Sequence, residues 1–290
     1  MPVSPALPTV AGVTHRQIDV GPVSLHVAEA GSGPPLLLVH GWPQNWACWR
    51  RVVPLLADRY RLIMPDLRGH GWSDAPGHGY DKEQLTTDLL ALLDALRLDQ
   101  VGYVGHDWGG WTGFLACLRD PERFSALLAL GIVHPFQQPT PAKAAEAWRG
   151  AYQVALSTPW LSAALLRSSP WFVASMIRAG SANPQTFSSD ELRGYGEVFQ
   201  QRERARATVA LYRTFLLREA PRLSRYLNQR LVVPTRLVIG AQDGIGSPAM
   251  LDGWQDHADD MSVEVLDGVG HFIPDEAPAV VAARVGSLFG

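Results

Sequence analysis

The chain has 290 residues, of which 47% are hydrophobic and 18% charged, a balance that suits one large domain or a core carrying an inserted lid. A formal charge of −3 and an isoelectric point near 6.3 give no electrostatic reason to expect a nucleic-acid partner, and no apolar run approaches the ~18–20 residues that cross a bilayer. Two cysteines, Cys48 and Cys117, are too few for a disulfide framework or a metal cluster and read as small buried hydrophobes.

The first fourteen residues hold three prolines and no basic stretch, so they do not resemble a secretory signal. They read as a loose N-terminal arm on a cytoplasmic protein. From about 15 to 134, short apolar runs alternate with helical patterns, the signature of an α/β sheet. Val23–Ala30 and Pro35–Val39 are predicted strands, followed by a helix ending near Ala57 and a strand at Leu62–Met64. Leu85, Leu89, Leu92, Leu93 and Leu96 recur at spacings of three and four and predict a helix over Asp81–Leu96. Val101–Gly105 is a strand, Trp108–Arg119 a helix and Phe124–Ile132 the next strand.

At His134-Pro135 the pattern changes. As far as Arg230 there are only helical pieces broken by prolines 139, 141, 159, 170, 184 and 221. Sheet character returns at Leu231–Gly240 and Ser262–Leu266, and a last helix spans Pro278–Phe289. The expected organisation is therefore a core of 1–134 and 231–290 with a helical cap over 135–230. Residues 202–230 hold eight arginines against two glutamates, which reads as a solvated cap face.

The chemistry concentrates at Gly105-His106-Asp107-Trp108-Gly109-Gly110, directly after the strand that starts at Val101. A small–x–apex–x–small pattern between strand and helix is a nucleophile elbow, the sharp turn that lifts one side chain above a sheet. Bulk at 105 or 109 would strike the adjoining strand or helix, and Gly110 leaves room for close helix packing. The apex of such turns is usually serine, and here it is Asp107. A carboxylate cannot do a serine's acyl transfer. It can attack an electrophilic sp3 carbon and become an ester, which points to opening an epoxide or displacing a halide.

A nucleophile at 107 needs a base later in the chain. His271, in the Gly-rich stretch Asp267-Gly-Val-Gly-His271-Phe272 after the last strand, stands where the order nucleophile, acid, histidine puts it. Asp243 follows the strand ending at Gly240 and is the candidate acid, holding the imidazole in one tautomer and stabilising its cation. His40-Gly41-Trp42-Pro43 follows another strand. Its Trp42 N–H and that of Trp108 can converge on one oxygen as an oxyanion hole; Pro43, lacking an N–H, cannot substitute. His40 and His106 read as braces of their turns. His40, Pro43, Trp108 and Gln153 are also the expected substrate-binding residues. Asp66 is expected to fix its loop through nearby backbone or Arg68.

With these motifs in place the chain resembles an epoxide hydrolase of the α/β-hydrolase superfamily over nearly its whole length. The carrying residues are His40-Gly-Trp-Pro43 with Trp49-Arg50, Pro65-Asp-Leu-Arg-Gly69, Gly105-His-Asp-Trp-Gly-Gly110, Asp243 and Gly270-His-Phe272. The resemblance implies the α/β-hydrolase fold, a mostly parallel central sheet flanked by helices, with an inserted helical cap. It implies a small apolar epoxide and water as substrates, with no cofactor, metal or membrane. It also implies two cap tyrosines that hold the ring oxygen and give it a proton.

Epoxide opening liberates an alkoxide whose conjugate acid has a pKa near that of water, about 16, so a phenol of pKa ~10 is a fitting donor. Four tyrosines lie in the cap. Tyr152-Gln153 stands 45 positions after Asp107, and Tyr212-Arg213 stands 31 before Asp243. These match the family's lid tyrosines, with Tyr195 in reserve. A halide needs N–H donors instead, and Trp108 with Trp148, Trp160 or Trp171 keeps a haloalkane dehalogenase as the alternative. Fluoroacetate dehalogenases carry arginines where this chain has Trp108 and Trp111, so a carboxylate substrate lacks its clamp. A non-catalytic ligand receptor on the same fold is the remaining reading.

Overall fold

A computed structural model describes residues 5–244 and 248–290. Eight strands form one sheet: β1 (Thr14–Asp19), β2 (Ser24–Ala30), β3 (Pro35–Val39), β4 (Arg61–Pro65), β5 (Val101–His106), β6 (Phe124–Leu130), β7 (Thr235–Gly240) and β8 (Met261–Leu266). Their order across the sheet is β1-β2-β4-β3-β5-β6-β7-β8. β1 and β2 pair antiparallel with their neighbours, and every pairing from β4 through β8 is parallel.

Buried parallel strands should read as near-continuous apolar runs; β3 does, β6 does after Ser125, and β5 does as far as His106, with all six of its residues buried. Successive side chains on a strand point to opposite faces, and β5 shows both faces covered. At Gly102 a side chain would meet Phe289 of the C-terminal helix Pro278–Phe289, whereas Tyr103 on the other face bonds Gly109 O and Thr112 Oγ1 of the helix Trp108–Arg119.

β1 departs from the sequence expectation. Its residues Thr14–Asp19 alternate without strong apolar character, because an exposed edge strand is held mainly by backbone pairing. The arm before it is also less loose than expected. Val10 and Val13 pack against the core, and Trp72 Nε1 donates to Pro5 O at 2.9 Å; residues 1–4 of the arm lie outside the described residues.

Between β6 and β7 the described residues form helices and irregular links, with one isolated bridge from Leu231 to Ala258 ahead of β7, which starts at Thr235. Pro159 and Pro170 open their helices at the first turn, where a missing N–H costs nothing. Ser188 and Glu191 form a capping box on Ser189–Val198. The helix Arg202–Thr214 follows. Of the eight arginines in 202–230, seven are exposed as expected, but Arg204 is buried and donates to the carbonyls of His70 and Ser73, tying this helix to the core.

Candidate active site

The C-terminal ends of parallel strands all open on one edge of the sheet, where open α/β folds place their sites. β3 delivers His40–Pro43 to that edge, β5 delivers Asp107, β7 delivers Asp243 and β8 delivers His271. The elbow is sharp: Asp107 has φ +52° and ψ −122°, a conformation that costs a residue with a Cβ about 1–3 kcal/mol. Close packing holds it there. A Cβ on Gly109 would lie 2.1 Å from Val39 O, and one on Gly41 would lie 2.2 Å from Asp107 Oδ1. Gly109→Ala should therefore cost about 3 kcal/mol of unfolding free energy, the upper range for overpacking. Urea denaturation reads this directly, and an unchanged midpoint would mean the helix can shift away from β3 without loss.

Asp107, Asp243 and His271 are all buried. Trp42 N–H donates to Asp107 Oδ1 at 2.9 Å, and Trp108 N–H bonds the same carboxylate. His271 Nε2 lies 3.7 Å from Asp107 Oδ2, and on its other side Nδ1–H donates to Asp243 Oδ2 at 3.1 Å. His106 Nε2 lies 2.9 Å from the carbonyl of His271 and donates to it, while His271 N–H donates to Gly180 O at 2.7 Å. The histidine loop is thus fixed from the elbow and from Gly180, at the end of the helix Pro170–Gly180.

Burial raises Asp107 to about 6, although His271 and the two N–H donors pull the other way. For His271 burial acts to lower the pKa, but Asp243 and then Asp107 outweigh it and raise the imidazole to about 9. At neutral pH the pair is a carboxylate facing an imidazolium. Tyr152 and Tyr212 are held protonated, their pKa values raised first by burial and further by the charge of Asp107. Their rings meet edge to face with centroids 6.0 Å apart.

A cavity of about 360 Å³ opens on Asp107 and is bordered by Trp42, Pro43, Tyr152, Tyr212 and His271, with Met176 and Phe272 adding apolar surface. Three expected substrate contacts are corrected. His40 is fully buried beneath its loop, donating from Nδ1 to Gly41 O at 2.9 Å and accepting Leu67 N–H on Nε2 at 3.0 Å. The Trp108 ring is turned away into an aromatic cluster with Trp111, Tyr212 and Phe215. Gln153 borders a second, larger cavity of about 810 Å³ that Tyr152 also lines, and it meets the site only through the Tyr152 hydroxyl, to which its Nε2 donates at 3.5 Å.

Tyr195 does not reach the cavity either; its hydroxyl accepts from Arg50 Nη1 at 3.2 Å, in a buried cluster with Asp275 and Glu191. Asp66 fixes its loop through His26, Trp46 N–H and Trp72 N–H, and not through Arg68, which pairs with Asp88. Cys48 and Cys117 are buried and free. Sequence reasoning missed the border residues Gln242, Arg149 and Met176, of which Gln242 alone carried a signal, as the neighbour of Asp243.

The α/β-hydrolase fold family model matches residues 34–278, a stretch that runs from β3 past His271 and takes in every element of the site. The chain belongs to the α/β-hydrolase fold family. Within it, the chain is 30% identical over 281 residues to the soluble epoxide hydrolase of Corynebacterium sp. (strain C12), covering 93% of this chain and 94% of that one. The solved structure of the ligand-free epoxide hydrolase CorEH superposes on this α/β hydrolase with a TM-score of 0.86 at 29% identity, over 96% of this chain and 98% of that one. The chain is also 41% identical to the fluoroacetate dehalogenase of Burkholderia sp. over 127 residues, or 42% of each chain. Among the described residues no helix is long and apolar enough to cross a membrane.

Proposed function

We propose that this α/β hydrolase converts small apolar epoxides to vicinal diols through an ester on Asp107, with residues 135–230 acting as a cap on a core of 1–134 and 231–290. The observation that carries the reading is the meeting of two protonated cap phenols and one buried carboxylate on a single cavity. A halide leaving group has no use for paired acids, whereas an alkoxide requires them. The relatives named as epoxide hydrolases support the same class.

In the first step Tyr152 and Tyr212 hold the ring oxygen, and an Asp107 carboxylate oxygen attacks a ring carbon in line. The C–O bond of the ring breaks as one phenol transfers its proton to the departing oxygen, leaving a hydroxyalkyl ester. Esterification removes the negative charge of Asp107, one of the causes that raise His271. The imidazolium is thereby made easier to deprotonate once the ester exists, and the proton it gives up restores the phenol. In its neutral form His271, oriented by Asp243, takes a proton from water, and the hydroxide attacks the ester carbonyl carbon. The N–H groups of Trp42 and Trp108 already sit on this carboxyl group and receive the oxyanion. Collapse expels the diol as its alkoxide, which takes the remaining water-derived proton from the new Asp107 carboxyl group, restoring the carboxylate opposite the imidazolium. No metal or organic cofactor enters these steps.

The test is the intact mass of His271→Gln after mixing with a panel of epoxides and haloalkanes, since only ester hydrolysis needs the base. A gain of one whole epoxide, mapped to Asp107, is the expected result. A gain equal to a haloalkane less hydrogen halide, with epoxides inert, would make the protein a dehalogenase. No adduct with either class, together with wild-type protein that turns neither over, would favour a ligand receptor. A carboxylate-bearing haloacid is disfavoured by the surroundings of Asp107: the bordering arginine, Arg149, is engaged by Glu146 and donates to Gly244 O at 3.1 Å.

A further inference from the structure

Lys82 is fully buried, a placement that lysine almost never adopts without a partner. It opens the helix Lys82–Ala95, far in sequence from every catalytic candidate. Its Nζ donates to Leu211 O at 2.9 Å and approaches Glu219 Oε1 at 3.4 Å, while its own N–H donates to Glu219 Oε2 at 3.2 Å. The ammonium also lies 4.3 Å from the centroid of the Trp108 ring and 5.0 Å from that of Phe215, within the range of a cation–π contact. Burial lowers Lys82 to about 8 against the opposing pull of Glu219, so the cation persists at neutral pH.

The position of these contacts gives them meaning. Leu211 immediately precedes Tyr212, at the point where the helix Arg202–Thr214 passes into the π-helical turn Phe215–Glu219. Phe215 N–H is shared there between the carbonyls of Leu211 and Tyr212, and such π turns recur at functional sites. The Tyr212 ring packs edge to face on Trp108, centroids 5.7 Å apart, and Trp108 supplies an N–H to Asp107. One ammonium therefore grips the backbone beside the phenol, the end of the turn that follows it, and the aromatic ring on which the phenol rests. A leucine or methionine would fill the space without the desolvation cost of a buried ion pair, so packing alone does not account for a lysine.

We propose that Lys82 is a positioning residue for ring opening, its buried ammonium fixing the turn that carries Tyr212 and the Trp108 ring behind it. The inference rests on Tyr212 being a proton donor in the reaction proposed above. It predicts a loss concentrated in ring opening: Lys82 does not touch His271 or Asp243, and it contacts the Trp108 ring, whereas the Trp108 N–H used in ester hydrolysis is held by the close packing of the elbow on β3.

Rapid-quench intact-mass measurements on wild type, Lys82→Met, Tyr212→Phe and the double variant test it, using styrene oxide or whichever panel epoxide esterifies the wild type. Lys82→Met should slow ester formation by about three- to tenfold, no more than Tyr212→Phe itself, the effect of a slightly misplaced donor, and leave ester decay within about twofold of wild type. In the Tyr212→Phe background the same change should cost less than about twofold. Unchanged ester formation, an equal slowing of both steps, or a full loss that persists without the Tyr212 hydroxyl would each overturn the inference. If Lys82→Met does not fold, Glu219→Gln weakens the same grip with little change of shape. A smaller loss confined to ester formation is then expected, and equal effects on both steps would overturn it. A wild type that esterifies with no epoxide refutes the epoxide reading itself, and this inference falls with it.

Discussion

Asp107→Ala should lower kcat for epoxide hydrolysis by on the order of 10⁵-fold, the scale seen when a covalent nucleophile is removed. Neither His271 nor the cap phenols can form the ester in its place. Direct attack by water is left as the residual route, and diol formation above about 1% of the wild-type rate would sink the covalent scheme. The variant should also unfold no more readily than the wild type. Burial raises Asp107 from 3.8 to about 6, so its carboxyl group favours folding fully only below 3.8, and that contribution is lost as pH rises through about 6. At pH 7 the ionised form is maintained against the fold, and thermal melts will separate lost chemistry from lost structure. In the wild type, the same pKa sets a limb for ester formation. The single-turnover rate should rise with pH through about 6 and level off above it, because only the ionised carboxylate attacks.

The placing of Asp107 at the apex of a strand–turn–helix elbow was legible in the sequence because its constraints are local. The elbow needs small residues at fixed offsets from an apex, and a strand–turn–helix pattern surrounds Gly105 to Gly110. Asp243 and His271 were legible for a related reason: the ends of parallel strands converge, so position after a strand stands in for position in space. The edge strand Thr14–Asp19 was not, since backbone pairing holds it and leaves little trace in side-chain pattern. His40, Trp108 and Gln153 do not border the cavity at Asp107, because adjacency in sequence to a site residue says nothing about which way a ring or amide turns. His40 faces down into the loop, and Gln153 borders the second cavity with its amide directed at the Tyr152 hydroxyl. Lys82 gave no signal at all. A lysine at the start of an amphipathic helix reads as solvated, and only the cap segment Tyr212–Glu219 folding over it removes it from water.

Tyr152→Phe combined with Tyr212→Phe should lower the rate of ester formation by about 10³-fold, within the range that positioned general acids contribute. Each single variant should lose far less, about tenfold, because the remaining phenol can still hold and protonate the ring oxygen. The asymmetry follows from their shared task. The two rings meet at 6.0 Å, and both phenols are kept protonated by burial and by the charge of Asp107. Losing one removes a hydrogen bond, whereas losing both forces an unprotonated alkoxide to leave. The double variant supplies a sharper contrast than the rate alone. A haloalkane that reacts at Asp107 needs no proton for its leaving group, so any alkylation of the protein by such a compound should survive the loss of both hydroxyls. Equal losses with epoxide and haloalkane would mean that the tyrosines shape the cavity and that the proton comes from elsewhere.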